Sequence, residues 1–223
     1  MISSSSPSMR TAVLAAGIGL AIAAAGGCSH GPPANPSGFR ALFQQGQAID
    51  AFIASADFHK REWQTAYRGA AVPDSTLARA RAVPGTWRLL VVAADWCPDS
   101  YHVVPHLAKL AEEVPGLELR IVNTGPGKAV MDAYRTPDGR AATPTVLILD
   151  DAFHEQGCMI ERPTAAERLF LSRKAQGDNN AEAHQAVTAW YERDRGRSAV
   201  AEIVSRLAAA SAGQPVCAAR GGR

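Results

Sequence analysis

Trp96-Cys97-Pro98-Asp99-Ser100 closely follows an apolar run, Leu89-Leu90-Val91-Val92-Ala93, and opens a segment that reads as helix from Pro98 to about Val114. Trp87 to Ala93 is apolar almost without interruption, as expected of a central strand covered on both faces. A thiol set between the end of such a strand and the start of a helix faces the positive end of the helix dipole. That position favours the thiolate, which is the nucleophile. Cys97 is therefore the candidate catalytic residue, and its attack on a disulfide or an oxidised thiol would give a mixed disulfide. The alternative for Cys97 is a small buried side chain without reactivity. Pro98 suits the first helical turn, where a missing N–H costs nothing. Ser100 stands where a redox pair would carry its second sulfur. Its hydroxyl either donates to the Cys97 thiolate or satisfies the first helical turn. It cannot expel a bound partner, so a one-cysteine site needs an outside thiol for release.

Working outward, Phe39, Leu42, Phe43, Ile49, Phe52 and Ile53 recur at helical spacing, which predicts one amphipathic helix from Gly38 to about Ala56. Phe58, Trp63 and Tyr67 continue as a second helical stretch. Pro73-Asp74-Ser75 opens a short helix capped by Asp74 or Ser75, and Pro84-Gly85 closes it. Pro105 lies inside the helix after Cys97 and predicts a kink. Leu117 to Val122 alternates as a strand, Asn123 to Gly127 reads as a turn, and Lys128 to Arg135 as a short helix. Thr136-Pro137-Asp138-Gly139 is a second turn. Thr145–Leu149 and His154–Ile160 read as antiparallel strands joined through Asp150-Asp151. From Thr164 onward the chain reads as helix with a break at Gly177-Asp178-Asn179-Asn180.

Several of these pieces resemble the thioredoxin superfamily, and more closely its bacterial thioredoxin-like proteins with a W-C-x-D-S type site. The match is carried by Trp96 and Cys97, by Pro105, by the strand Leu117 to Asn123, and by Thr143-Pro144-Thr145 leading into Val146-Leu147-Ile148-Leu149-Asp150. It runs from about Phe58 to Leu207. The resemblance implies an α/β, three-layer fold with a mixed central sheet, here with helical additions at both ends. It implies a cis bond before Pro144, which only X–Pro bonds adopt at modest cost. In that fold the proline lies against the attacking sulfur and leaves the Thr143 backbone free to pair with an extended substrate. Trp96 would shape the surface beside the thiol. Two departures stand out. Ser100 replaces the resolving cysteine, and Val91 occupies the position where thioredoxins keep a buried acid.

Composition bounds the rest. With 47% hydrophobic residues among 223, the chain can bury one sizeable core. Its 23 basic and 21 acidic residues nearly balance, which argues against a nucleic-acid partner. There is no Gly-rich phosphate loop and no internal repeat, and no cofactor is expected. The N-terminus reads as an export signal over residues 1–27: Arg10 supplies the positive charge, and Thr11 to Ala25 is apolar but shorter than a spanning helix needs. Ala25-Gly26-Gly27-Cys28 resembles a bacterial lipobox, with Cys28 as the lipidated residue; ordinary cleavage nearby is the alternative. Ser29 is not Asp, so nothing argues for inner-membrane retention. Gly31 to Gly38 reads as a flexible tether, and residues 39–223 as a single domain. The expectation is a membrane lipoprotein facing the extracytoplasmic space.

Lipidation of Cys28 leaves Cys97, Cys158 and Cys217 in an oxidising compartment, where paired cysteines persist. The simpler pairing is a structural Cys158–Cys217 disulfide with Cys97 free; the alternative makes either one a distant resolving partner for Cys97. Asp95 and Asp99 flank the thiol and oppose the helix dipole, with Asp99 also suited to the helix start. His102 and His106 are one helical turn apart and could share a face; the periodicity also allows a solvated His102 and a half-buried His106. Together with Cys97 they raise copper or zinc carriage, though no metal site is expected. Three functions compete. The first is a membrane-tethered monothiol exchange protein acting on protein or low-molecular-weight thiols and disulfides. The second is a binding or assembly module that keeps the fold without catalysis, and the third is a metal carrier.

Overall fold

A computed structural model of the protein describes residues 35–215 together with Met1 and Cys217. The apolar segment read as an export signal, Cys28 and the first half of the stretch read as a tether lie outside the described residues. The chain runs α1 (Pro36–Gln45), α2 (Ile49–Ser55), α3 (Lys60–Gly69), α4 (Asp74–Arg81), β1 (Trp87–Ala93), α5 (Pro98–Glu113) and β2 (Leu117–Asn123). It continues through α6 (Thr124–Ala133), β3 (Thr145–Leu149), β4 (Glu155–Ile160), α7 (Thr164–Ala175), α8 (Asn180–Asp194) and α9 (Arg197–Ser211). The sheet order is β2-β1-β3-β4. β1 pairs parallel with β2 and antiparallel with β3, and β3 pairs antiparallel with β4. This is a mixed sheet with helices on both faces, as the apolar run of β1 requires.

The period of the strand sorts β1 between two cores. Leu89, Val91 and Ala93 join one with Val103, Leu107 and Leu110 of α5 and Val200, Ile203 and Val204 of α9. Leu90 and Val92 join the other with Phe39 and Phe43 of α1 and with Val130 and Tyr134. Each such buried aliphatic or aromatic side chain contributes roughly 1.5–3 kcal/mol. The position where thioredoxins keep an acid, Val91, is thus fully buried among apolar neighbours.

Five local readings are corrected. The single helix expected over 38–56 is two, because Gly46-Gln47 leaves the helical path to pair with β2. The Gln47 N–H donates to the Ile121 carbonyl at 2.8 Å and the Ile121 N–H to the Gln47 carbonyl at 2.9 Å. A Cβ at Gly46 would stand 2.7 Å from the Arg120 Cβ, so only glycine lets the backbones come this close. The end of the tether is helical: Asn35 caps α1, accepting from the Gly38 N–H at 2.8 Å, with a proline in the first turn. The turn expected over 123–127 is already the first turn of α6. The C-terminal helical region breaks a second time, at Arg195 and Gly196, both with left-handed backbone. The cap of α4 is Pro73 rather than Asp74 or Ser75.

The N-terminal addition docks beside the end of β1. Trp63 is fully buried, packs edge-on against Phe52 with ring centroids 5.0 Å apart, and donates its indole N–H to the Asp95 carbonyl at 2.9 Å. The Asp95 carboxylate in turn accepts from the N–H groups of Asp57 and Phe58 at 2.8 and 3.0 Å. Asp95 therefore fastens the arm to the loop that carries Cys97.

Candidate active site

Cys97 is the N-cap of α5, with extended backbone, and Pro98 takes the first helical position. The Cys97 carbonyl accepts from Ser100 and Tyr101 at 3.1 and 3.3 Å, which starts the helix. The thiol donates to the Thr143 carbonyl at 3.1 Å, and the Thr143-Pro144 peptide is cis. A strand end, a helix start and a proline turn thus converge on one sulfur. The thiol is only 8% exposed, but it lines a cleft of about 360 Å³ with Trp96, Thr124, Met131, Arg140 and Thr143. Trp96 beside it is 57% exposed.

Ser100 is fully buried and its hydroxyl has no hydrogen-bond partner. It does not donate to Cys97, nor does its hydroxyl serve the first helical turn. The sulfur of Cys97 is occupied with Thr143 instead. Cys158 and Cys217 form a disulfide with Cα atoms 5.3 Å apart. Cys158 belongs to the core under α1 and α6, Cys217 packs against it, and Cys97 is the free cysteine among the described residues. In this arrangement each is paired with the other rather than with Cys97.

Asp99 departs most from the sequence reading. It lies in the first turn of α5, but it is buried, and it joins a charged network beneath the site. The Tyr191 hydroxyl donates to one carboxylate oxygen at 2.7 Å and Arg162 to the other at 3.2 Å. The Arg162 side chain is fully buried and also reaches Glu161 at 2.7 Å and Glu167 at 3.3 Å, while its Nε has no partner. Arg140 forks onto Glu161 at 3.0 and 3.2 Å. Burial, then the adjacent Asp99 carboxylate, holds the Tyr191 hydroxyl well above the usual phenol range. Sequence reasoning missed Arg140, Glu161, Arg162, Glu167 and Tyr191. A cue was present: Asp99, Val103, His106 and Leu110 fall on one helical stripe, and all four are buried.

The two histidines of α5 are not brought to the sulfur. His102 stacks on Tyr191, with centroids 4.8 Å apart and planes 10° apart, and His106 is buried with its Nδ1 unpartnered. Burial pushes both below the ordinary histidine value. His102 is half-buried, and His106 is buried more deeply than the half-buried position the periodicity allowed. No group of three His, Cys, Asp or Glu side chains stands close enough to hold a metal among the described residues. A separate groove of about 670 Å³ lies between α3, α5 and α8, floored by Tyr101, His102, His106 and Tyr191.

A family model described as Thioredoxin matches residues 46–184 of the chain. Among solved structures, a protein of unknown function from Pseudomonas aeruginosa is 24% identical. That match covers 74% of this chain and 94% of the other, with a TM-score of 0.58. An HIV epitope-scaffold of the 4E10 series is 23% identical over 75% of this chain and 96% of its own, also with a TM-score of 0.58. No curated protein matches.

Proposed function

The chain belongs to the thioredoxin family, and from that premise we propose that it performs monothiol thiol–disulfide exchange at Cys97 while tethered to a bacterial membrane through a lipidated Cys28. The observation that carries the reading is the Cys97 thiol at the start of α5, 3.1 Å from the carbonyl that precedes cis-Pro144, at the floor of an open cleft. In the exchange, the Cys97 thiolate attacks one sulfur of a substrate disulfide. A Cys97–substrate disulfide forms, the substrate disulfide breaks, and the other sulfur leaves as a thiolate. A second, external thiolate then attacks the mixed disulfide and restores Cys97, because Ser100 offers no sulfur to do so. The Thr143 carbonyl gives up its bond to the thiol as Cys97 reacts and is free to accept from an extended substrate segment. Substrates are protein disulfides or low-molecular-weight mixed disulfides outside the cytoplasm.

The test is to treat the reduced full chain with oxidised glutathione and map every cysteine by mass. A glutathione adduct on Cys97, reversed by added thiol and absent from Cys97→Ser, is the expected result. An unmodified Cys97 would sink it. The lipid anchor is tested separately by membrane fractionation of the wild type and Cys28→Ala, with release of the variant expected. A second reading, a binding module on the same fold, is favoured by the 8% exposure of Cys97 and by the apolar Val91 in place of an acid. It predicts that Cys97→Ser keeps the biological role.

A further inference from the structure

We propose that Arg162 is a positioning residue: its buried guanidinium clamps the first turn of α5 to the loop of Pro144, and so sets where the Cys97 sulfur lies against the Thr143 backbone. The proposal rests on the exchange reading of Cys97. One end of the clamp is Asp99, within the first turn of α5 and 3.2 Å from Arg162. The other end is Glu161, 2.7 Å from the same Nη2 atom, whose backbone N–H donates to the Pro144 carbonyl at 2.8 Å. The connection therefore passes from the Cys97 helix through Asp99, Arg162 and Glu161 to the Thr143-Pro144 turn whose Thr143 carbonyl meets the sulfur.

Three further observations support a geometric role over a purely stabilising one. A buried guanidinium among carboxylates is a poor source of net stability, since packed apolar side chains of similar volume do as well or better. The network is also incompletely satisfied, because the Arg162 Nε has no partner. Finally, Glu161 has a φ of 62°, a left-handed backbone that costs a non-glycine residue. That turn aims the Glu161 N–H at Pro144 and sends the next side chain beneath α5. The remaining carboxylate oxygens are held too: Tyr191 takes the second oxygen of Asp99, and Arg140 forks onto Glu161. Each end of the clamp is thereby fixed in orientation as well as position.

The test uses the full chain as wild type, Asp99→Asn and Arg162→Lys, with two readouts. The first is residue-level amide hydrogen exchange. Asp99→Asn alters only α5, yet the Glu161 amide should exchange roughly tenfold faster or more, while the central-strand amides of Val91 and Ile148 keep their protection. The second is the ratio of two rates at Cys97, mixed-disulfide formation with oxidised glutathione over alkylation by iodoacetamide. Both need the thiolate, so the ratio cancels any change in its population, and only the disulfide reaction needs the Thr143 geometry. The ratio should fall by about tenfold in both variants, in line with the sensitivity of reaction rates to small misplacements. An unchanged Glu161 amide in folded variants overturns the clamp, as does loss of protection throughout the sheet in both. A wild type that forms no glutathione adduct overturns the exchange reading instead, and the Glu161 amide alone then decides the clamp.

Discussion

Two fastenings lie within one short stretch of chain and hold it by different means. Cys158, inside β4, is bridged covalently to Cys217 on the side of the sheet packed by α1 and α6. Arg162, just past the end of β4, is bound by Asp99, Glu161 and Glu167 on the opposite side, beneath Cys97. A disulfide acts largely by restricting the unfolded chain, so it says little about the shape around it. A buried guanidinium acts only in the folded state, through the directions of its donors. One fastening secures a chain end, and the other secures a geometry.

The largest expected effect is on the covalent side. The bridge spans a separation of 59 residues, so Cys217→Ser should lower the unfolding free energy by about 4 kcal/mol in a urea titration. The rate of glutathione adduct formation at Cys97 should stay at the wild-type value. A fall in that rate would break the contrast. Arg162→Met should cost about 3 kcal/mol by the same titration, since it leaves buried carboxylates unpaired. Tyr191→Phe removes one hydroxyl from the Asp99 carboxylate and should cost roughly 1.5 kcal/mol; a neutral result would mean that Arg162 alone holds Asp99.

The smallest effect is in pH dependence, where the two sides run in opposite directions. On the α6 side, burial pushes the Glu155 carboxyl up to about 7, and the Tyr134 hydroxyl at 3.5 Å offsets this only in part. Its folded pKa lies above its unfolded one. The stability it contributes is therefore full below the ordinary glutamate value and is lost as pH rises through about 7. Glu155→Gln should flatten that decline by roughly 1 kcal/mol, allowing for solvent screening of a partly exposed group. Urea midpoints of the two proteins from pH 4.5 to 8 check it. On the α5 side, burial pushes His102 and His106 down, so the stability tied to their neutral forms is present above the ordinary histidine value and is lost as pH falls through their lowered values.

What the sequence made legible divides along a physical line. The strands and α5 could be read because their signals are local: the apolar run of Leu89 to Ala93, the Pro98 start, and the alternation in Leu117 to Val122. The convergence of Cys97 with Thr143 and Pro144 was legible through the family resemblance. The break at Gly46-Gln47 was not, because the apolar spacing of Phe39, Phe43, Phe52 and Ile53 runs straight through it. Its cause is a distant backbone pairing with Ile121. Arg162 was equally hidden. An arginine after a strand reads as solvated, and its burial depends on Asp99, far away in the chain. Only the apolar stripe on which Asp99 lies hinted that a charge pointed inward. Asp95, read as a neighbour of the thiol, turned out to anchor the N-terminal arm.

The pairing of Gln47 with Ile121 has one more consequence. β2 and β4 are the two rims of the sheet, and a rim with free backbone groups is an invitation for another chain to add itself and aggregate. At β2 the arm already occupies both backbone groups of Ile121. At β4 the Arg206 guanidinium donates to the Cys158 carbonyl, and α9 lies against the strand. Each rim is thus blunted at its middle by the chain's own flanking segments, which guard the sheet against edge-to-edge self-association as well as packing its core.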